Sequence, residues 1–239
     1  MKIFSITSIF IICAALSLYQ YGRSIWAPLY QQIVGKETIE SVISKYGPGA
    51  DSRMVKIFSK AGISYPPKSV KFLAMKEEKS MEIWAKDNGD YRYITTYRIK
   101  GTSGISGPKL IEGDKQVPEG FYRIIGLNPN SSYHLSMKIN YPNELDLKHA
   151  KVEGRENPGS NIFIHGKSLS IGCLAMGDRT IEDLFTLVYR VGISNTGVII
   201  SPHDPRKRPL ITNRYHPKWL PSVYGDITDE FSRHDKHGT

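Results

Sequence analysis

Three consecutive segments that begin at Ser69 alternate apolar and polar residues, and they constrain the fold more than any other feature of the chain. The segments SVKFLAMK, SMEIWAK and DYRYITTYRI are rich in Val, Ile, Tyr and Thr, and Asn88-Gly89 separates the last two. Alternation with a period of two, interrupted by an Asn-Gly turn, is typical of strands joined by hairpins. We therefore predict a strand meander at the start of a mainly β domain.

Further strands and one helix follow the meander. The Gly- and Pro-rich residues 101–120, directly after the meander, predict a long surface loop. FYRIIGL and SYHLSMKIN then resemble the first strands, and IFIHG and GVIIS suit short central strands. TIEDLFTLVYRVG has apolar residues at helical spacing, with Thr180 and Asp183 as a predicted capping box and Gly192 as its end. The sequence thus predicts a β-rich α+β fold.

The chain divides into four predicted parts. Residues 1–22 hold a charge-free apolar run after Met1 and Lys2, which predicts a signal peptide or a retained signal anchor in the inner membrane, with a buried core helix as the alternative. Residues 23–66 predict a helical spacer that is interrupted at Gly47-Pro48-Gly49. Residues 67–203 form the predicted main domain, and 204–239 a basic polar tail.

Charge and cysteine content narrow the possible functions. The net charge of +9 favours anionic partners, but no stacking or groove-reading motif indicates nucleic acid. Cys13 lies in the apolar run, which leaves Cys173 as the single thiol of the remaining chain. An unpaired thiol in an exported protein is a reactive group, a link to another chain, or an inert buried side chain. The other histidines show no metal-ligand spacing, so we expect no metal and no cofactor.

The segment from Gly159 to Asp178 carries the residues that suit catalysis. His165 ends an apolar strand, and Cys173 follows eight positions later, with a glycine beside each of them. A cysteine attacks a carbonyl as the thiolate, which requires a base within hydrogen-bond reach. We predict that Cys173 is a nucleophile and that His165 is the base that activates it.

Neighbouring groups complete the predicted site. The backbone amides of Ile171, Gly172 and Cys173 are predicted to face a developing oxyanion, because Gly172 allows close approach of the backbone. Ser170 is predicted either to cap this loop or to support catalysis. Four further side chains are candidates for lining the cleft, although their alternating strand positions explain them equally well: Tyr133, His134, Asn140 and Tyr141.

These motifs resemble a known family. The pieces His165-Gly166, Ser170 and Gly172-Cys173, preceded by Gly113-Asp114 and by PEGFYR at 118–123, are similar to the YkuD-type L,D-transpeptidases of bacterial cell walls, and within them to the YafK-like branch. The resemblance covers roughly residues 68–202. It implies an L,D-transpeptidase-like β-sandwich with the cysteine in a cleft and a periplasmic or cell-envelope location.

The resemblance also implies a reaction. Cys173 would attack the carbonyl of the third residue of a peptidoglycan stem peptide and form a thioester, while the Gly166 carbonyl orients the His165 imidazole. Ile171 replaces the second histidine of the common family motif, and the interval between base and nucleophile is short. The acceptor therefore stays open: an amine gives a transpeptidase, whereas water gives an L,D-carboxypeptidase or an amidase that detaches an envelope lipoprotein. A non-catalytic wall-binding protein is the third alternative.

Overall fold

The structure is a computed structural model that describes residues 2–22, 26 and 35–236. Its strands are β1 (Ser69–Met75), β2 (Ser80–Lys86), β3 (Arg92–Arg98), β4 (Gly120–Ser131), β5 (His134–Ile139), β6 (Phe163–His165), β7 (Leu174–Ala175) and β8 (Thr196–Ser201). Its helices are α1 (Lys2–Tyr21), α2 (Ile39–Lys60), α3 (Glu144–Val152), α4 (Asp178–Val191) and α5 (Leu220–Ser232), with a 3-10 turn at Ile193–Asn195. The predicted β-rich α+β fold, with a helix after the cysteine loop, is confirmed.

The strands pair in the order β3-β2-β1-β8-β4-β5-β6-β7. Two pairs are parallel, β1 with β8 and β6 with β7, and the other pairs are antiparallel. The first residues of β4 pair with β8, whereas the later ones pair with β5, and the register with β5 shifts at two places. Such irregularities increase twist and bend a strand. Strand β4 therefore links a first half of the sheet to the half, β5 to β7, that carries His165.

Helix α4 fixes that second half of the sheet. The predicted apolar stripe of Ile181, Leu184, Phe185 and Val188 is fully buried, and the helix packs against β5 and β6. Burying each such side chain contributes about 1.5–3 kcal/mol. The helix ends at Gly192, whose φ is +92°, as predicted.

The predicted capping box of α4 is wrong. The helix begins at Asp178, so Thr180 and Asp183 both lie inside it, and no side chain caps its first turn. Asp183 is instead buried and forms an ion pair with Arg53 of α2, at 2.5 Å. The local pattern assigned this carboxylate to the start of the helix, but its partner is a residue 130 positions away in the sequence.

Helix α2 packs into the domain and does not stand apart as a spacer. It runs without a break through Pro48, which contradicts the predicted interruption. Val42 and Ile43 before the proline, and Met54 and Phe58 after it, are buried in one core with the sheet and α4. Burial on both sides outweighs the hydrogen bond that a proline removes from a helix.

Helix α5 covers the opposite face of the first half of the sheet. Its Leu220, Val223, Tyr224, Ile227 and Phe231 form a second core with side chains of β1, β2 and β8. The predicted polar tail therefore contains a packed helix. Pro221 lies in the first turn, where no intrahelical donor is needed.

The N-terminal prediction rests on sequence alone. Within the described ranges, no helix combines the length and the apolar character that crossing a membrane requires. Residues 23–25 and 27–34 of the predicted helical spacer and 237–239 of the predicted tail lie outside the described residues.

Candidate active site

Strands β6 and β7 bring the predicted nucleophile and base into one cleft. The two strands are parallel, with His165 opposite Ala175, so Cys173 enters β7 beside Phe163, two residues from His165. Residues two apart on a strand face the same side. Both side chains line a cleft of about 360 Å³. Between these two described residues no hydrogen bond is formed, and the thiol sulfur accepts instead from the Phe163 N–H, at 3.4 Å.

The imidazole of His165 is held in one orientation. The residue is 3% exposed, and its Nδ1 lies 2.6 Å from the Gly166 carbonyl oxygen. Because a carbonyl oxygen can only accept, Nδ1 carries the proton and Nε2 presents a lone pair. Burial lowers the pKa of His165 below its ordinary value, and the bond to Gly166 opposes part of that shift. The imidazole is therefore neutral at pH 7 and able to accept a proton.

The thiol of Cys173 is held in its protonated form. Burial raises the pKa of Cys173, and the Phe163 N–H and the Lys109 ammonium offset only part of the rise. A thiol with a raised pKa holds little thiolate at neutral pH, so its reactivity depends on a base. The site thus pairs a neutral thiol with a neutral imidazole.

Two serine hydroxyls hold the loop that precedes the cysteine. The Ser170 hydroxyl donates to the Cys173 carbonyl at 2.5 Å and accepts from the Cys173 N–H at 3.0 Å. The Ser103 hydroxyl accepts from the Gly172 N–H at 2.6 Å. Gly172 has a φ of +103°, which side chains rarely adopt. These contacts are those of a side chain that caps the loop, and a supporting role of Ser170 in catalysis stays a prediction.

The hydrogen bonds to the Ser103 and Ser170 hydroxyls affect the predicted oxyanion site. Two of its three amides, Gly172 and Cys173, already donate to hydroxyls. They can face an oxyanion only after these bonds break. Ile171, the third, is 70% exposed at the edge of the cleft.

A buried ion pair supports the loop that carries Ser103. Lys76 Nζ lies 2.9 Å from the carboxylate of Glu119, and both residues are buried. The same ammonium donates to the carbonyl oxygens of Ile105, Gly107 and Val117. The segment PEGFYR at 118–123, which resembles a family motif, therefore includes Glu119 as an anchor for the predicted surface loop. That loop in turn holds the cysteine loop through Ser103.

Replacing Lys76 with methionine is expected to lower the free energy of unfolding by about 3–5 kcal/mol, because it leaves the Glu119 carboxylate buried without its cation. Urea unfolding followed by circular dichroism measures the change. Arg208, which pairs with Glu77 on the surface, provides the matched control. Its replacement by methionine is expected to cost at most about 1 kcal/mol. Equal losses in the two variants would contradict the anchoring role.

The four predicted lining residues separate in the structure. Tyr133 lines the cleft, and its ring lies 4.7 Å from that of His165. His134 points to α4, where Nε2 is 2.9 Å from Glu182. The other two do not line the cysteine cleft: Asn140 accepts from the Arg123 N–H at 2.8 Å, and the hydroxyl of buried Tyr141 donates to the Pro158 carbonyl at 2.7 Å and lies 3.2 Å from the Lys109 carbonyl.

Other residues line the cleft that the sequence did not indicate. They come from the β4–β5 hairpin and from the chain around β6 and β7: Asn128, Asn130, Ser131, Ser132, Ser136, Asn161, Phe163 and Leu169. Ser136 is buried and lies opposite His165 in the register of β5 and β6. A buried serine in an apolar strand is the signal that could have revealed it.

The described lining of the cleft holds no Asp, Glu, Lys or Arg. Across the described residues, no group of three or more His, Cys, Asp or Glu side chains could hold a metal ion.

The chain is similar to known proteins in this region. Residues 72–200 match the family described as "YkuD: L,D-transpeptidase catalytic domain". The YafK protein of Escherichia coli (strain K12) is 37% identical over 115 residues, which span 47% of this chain and 44% of that protein. The chain thus matches less than half the length of this relative.

Solved structures also align with the chain. The helical cell shape determining protein Pgp2 from Campylobacter jejuni is 20% identical, with 78% of each chain covered and a TM-score of 0.47. L,D-transpeptidase 1 of Mycobacterium tuberculosis is 10% identical, with 56% of this chain and 62% of that chain covered and a TM-score of 0.33.

Proposed function

Because the chain belongs to the YkuD family of L,D-transpeptidase catalytic domains, we propose that it is a cysteine acyl-transfer enzyme that acts on peptidoglycan stem peptides. The observation that carries this proposal is the 2.6 Å contact between His165 Nδ1 and the Gly166 carbonyl. It leaves Nε2 free to act as a base in the cleft that also contains the Cys173 thiol.

In the first half of the reaction, His165 Nε2 takes the thiol proton. The Cys173 sulfur attacks the carbonyl carbon of the third stem residue and forms a tetrahedral intermediate. When the peptide C–N bond breaks, His165 returns the proton to the leaving amine, and a thioester remains on the sulfur.

In the second half, an acceptor attacks the thioester. His165 takes a proton from the acceptor, the C–S bond breaks, and the thiol is restored. An amine acceptor gives a new peptide cross-link, whereas water gives a free carboxylate.

One observation favours water as a second candidate acceptor. A stem-peptide amine is an ammonium ion in solution, and the described lining of the cleft offers no carboxylate to hold that charge. Water needs only the imidazole. Hydrolysis would make the protein an L,D-carboxypeptidase, or an amidase that detaches a lipoprotein from peptidoglycan.

The proposed location is the periplasm or cell envelope, with residues 1–22 as a signal peptide or as an anchor in the inner membrane. A net charge of +9 favours contact with the carboxylates of the wall and with anionic headgroups.

Isotope labelling separates the possible reactions. Purified protein is incubated with sacculi in water enriched in oxygen-18, and the released muropeptides are analysed by mass spectrometry. Hydrolysis of the thioester places one heavy oxygen in the new carboxylate, whereas transfer to an amine gives a cross-linked product without it. Binding to sacculi without either product would contradict the proposed enzyme and support the wall-binding alternative.

A further inference from the structure

The peptide bond between Gly166 and Lys167 is hydrogen-bonded at both ends. Its carbonyl oxygen accepts from His165 Nδ1 at 2.6 Å. Its N–H donates to Asp178 Oδ1 at 2.9 Å. In a trans peptide the C=O and the N–H point in opposite directions within one plane. A single rigid group therefore connects the carboxylate of Asp178 to the imidazole of His165.

We propose that Asp178 is a positioning residue for His165 and acts through the 166–167 peptide group to hold the proton on Nδ1. In a catalytic triad the third group contacts the histidine directly. Here the carboxylate lies one peptide group further away. This role deepens the proposed function and rests on it, because a fixed imidazole matters only where Cys173 reacts.

The backbone around this peptide leaves it little freedom. The Gly166 N–H donates to the Leu135 carbonyl at 3.1 Å, and the Lys167 carbonyl accepts from Gly177 at 2.9 Å. A Cβ at Gly166 would lie 2.6 Å from the Tyr133 carbonyl oxygen and 2.9 Å from Asp178 Oδ1, so only glycine fits there without a shift of the backbone. The plane is therefore held from both neighbouring segments.

Lys167 adds evidence that this geometry is imposed. Its φ is +57°, a conformation that residues with side chains seldom adopt. Such conformations persist where the surroundings determine them, and they are frequent at functional sites. The hydrogen bond from Lys167 N–H to Asp178 is one of the contacts that hold this conformation.

The carboxylate of Asp178 is suited to the role because it is ionised. Burial is the largest influence on the pKa of Asp178 and raises it, but the Lys167 ammonium and amide, with His134, lower the pKa below its ordinary value. An ionised acceptor forms a stronger hydrogen bond than a neutral one. Hydrogen bonds in a chain also polarise one another, so this bond strengthens the one that the Gly166 carbonyl accepts.

A structural explanation must be separated from this one. Asp178 is also the first residue of α4, where a carboxylate stabilises the helix. A test of the positioning role therefore needs measurements that do not change with the stability of the helix.

The test uses three variants of the full chain in a Cys13→Ser background, so that Cys173 is the reactive thiol. Asp178→Ala removes the acceptor, Asp178→Asn keeps an acceptor oxygen without its charge, and Lys167→Met removes the ion pair but keeps the backbone N–H. One readout is the His165 tautomer, from long-range ¹H–¹⁵N correlation, assigned with His165→Asn. The other is the pH profile of Cys173 alkylation by iodoacetamide.

We expect Asp178→Ala to lose the dominance of the Nδ1–H tautomer and to slow alkylation at pH 7 by about tenfold. Asp178→Asn should recover only part of both properties, because it keeps an acceptor oxygen but lacks the charge, and Lys167→Met should retain the tautomer. Unchanged tautomer and pH profile in Asp178→Ala, even with a lowered Tm, would overturn the proposal. It would also be overturned if Lys167→Met reproduced the loss. Neither readout uses a wall substrate, so a failure of the proposed function would be seen separately, as absent turnover of sacculi.

Discussion

Replacing Cys173 with alanine is expected to reduce the rate of acyl transfer by about 10⁴-fold or more, because the variant cannot form the thioester. The measurement is the rate at which muropeptide products appear from sacculi, followed by mass spectrometry. Intact-protein mass spectra should show a covalent acyl adduct on the parent protein and none on the variant. The neighbouring Ser170 and Ser103 hydroxyls cannot replace the sulfur, because both are engaged in holding the loop.

The chain contains its own control. Cys13 is its second cysteine, and it is exposed. Replacement of Cys13 by serine should leave the rate and the adduct unchanged. Full activity in the Cys173→Ala variant would exclude the proposed nucleophile. Unchanged binding to sacculi with no product from either protein would indicate a wall-binding function instead.

The local pattern of the sequence predicted most of the sheet and the α4 stripe. Alternation within a strand and spacing within a helix depend on neighbours along the chain, and these neighbours are visible in the sequence. Pro48 shows where that reasoning fails. Local propensity favours a break there, but α2 continues because residues on both sides of the proline are buried in the same core. The capping role predicted for Asp183 was wrong for the same reason, since its partner Arg53 lies on another helix.

The candidate site, like the fold, could be predicted from the sequence only in part. The positions of His165 and Cys173 in one cleft could be predicted, because the two residues are only eight positions apart in the chain and a tight loop can bring them together. The contact of Ser103 with Gly172 could not, since 69 residues separate them. The alternating pattern around β5 identified candidate lining residues. It could not show which face of the strand is directed towards Cys173. Tyr133 lines the cleft, while Tyr141 is buried under the neighbouring loop.

The two halves of the site depend on different parts of the molecule. The proposed base, His165, is held by β5, β6 and the first residue of α4, through backbone bonds and the proposed contact route from Asp178. The proposed nucleophile, Cys173, is held by the cysteine loop and by Ser103, whose own loop is anchored on Lys76 and Glu119. Damage to the anchor should therefore move the thiol and leave the His165 tautomer intact. The loss of Asp178 should do the reverse.

Replacing His165 with asparagine is expected to lower kcat/KM by about 10²–10⁴-fold at pH 7. Asparagine can still donate to the Gly166 carbonyl, but it offers no base at the position of Nε2. The loss therefore measures proton transfer and not the hydrogen bond that orients the ring. The measurement is kcat/KM against pH for both proteins, together with iodoacetamide alkylation of Cys173.

The two pH profiles should differ in a defined direction. Burial lowers the pKa of His165, so the imidazole sheds its proton at lower pH and the parent should stay active to below the ordinary histidine value of about 6.5. In the variant, the fall in rate that protonation of His165 causes in the parent at acidic pH should be absent. Its rate should instead rise until the thiol ionises unaided, above the ordinary cysteine value of about 8.5, because burial raises the pKa of Cys173. A variant that kept the acidic limb of the parent would show that another group accepts the thiol proton.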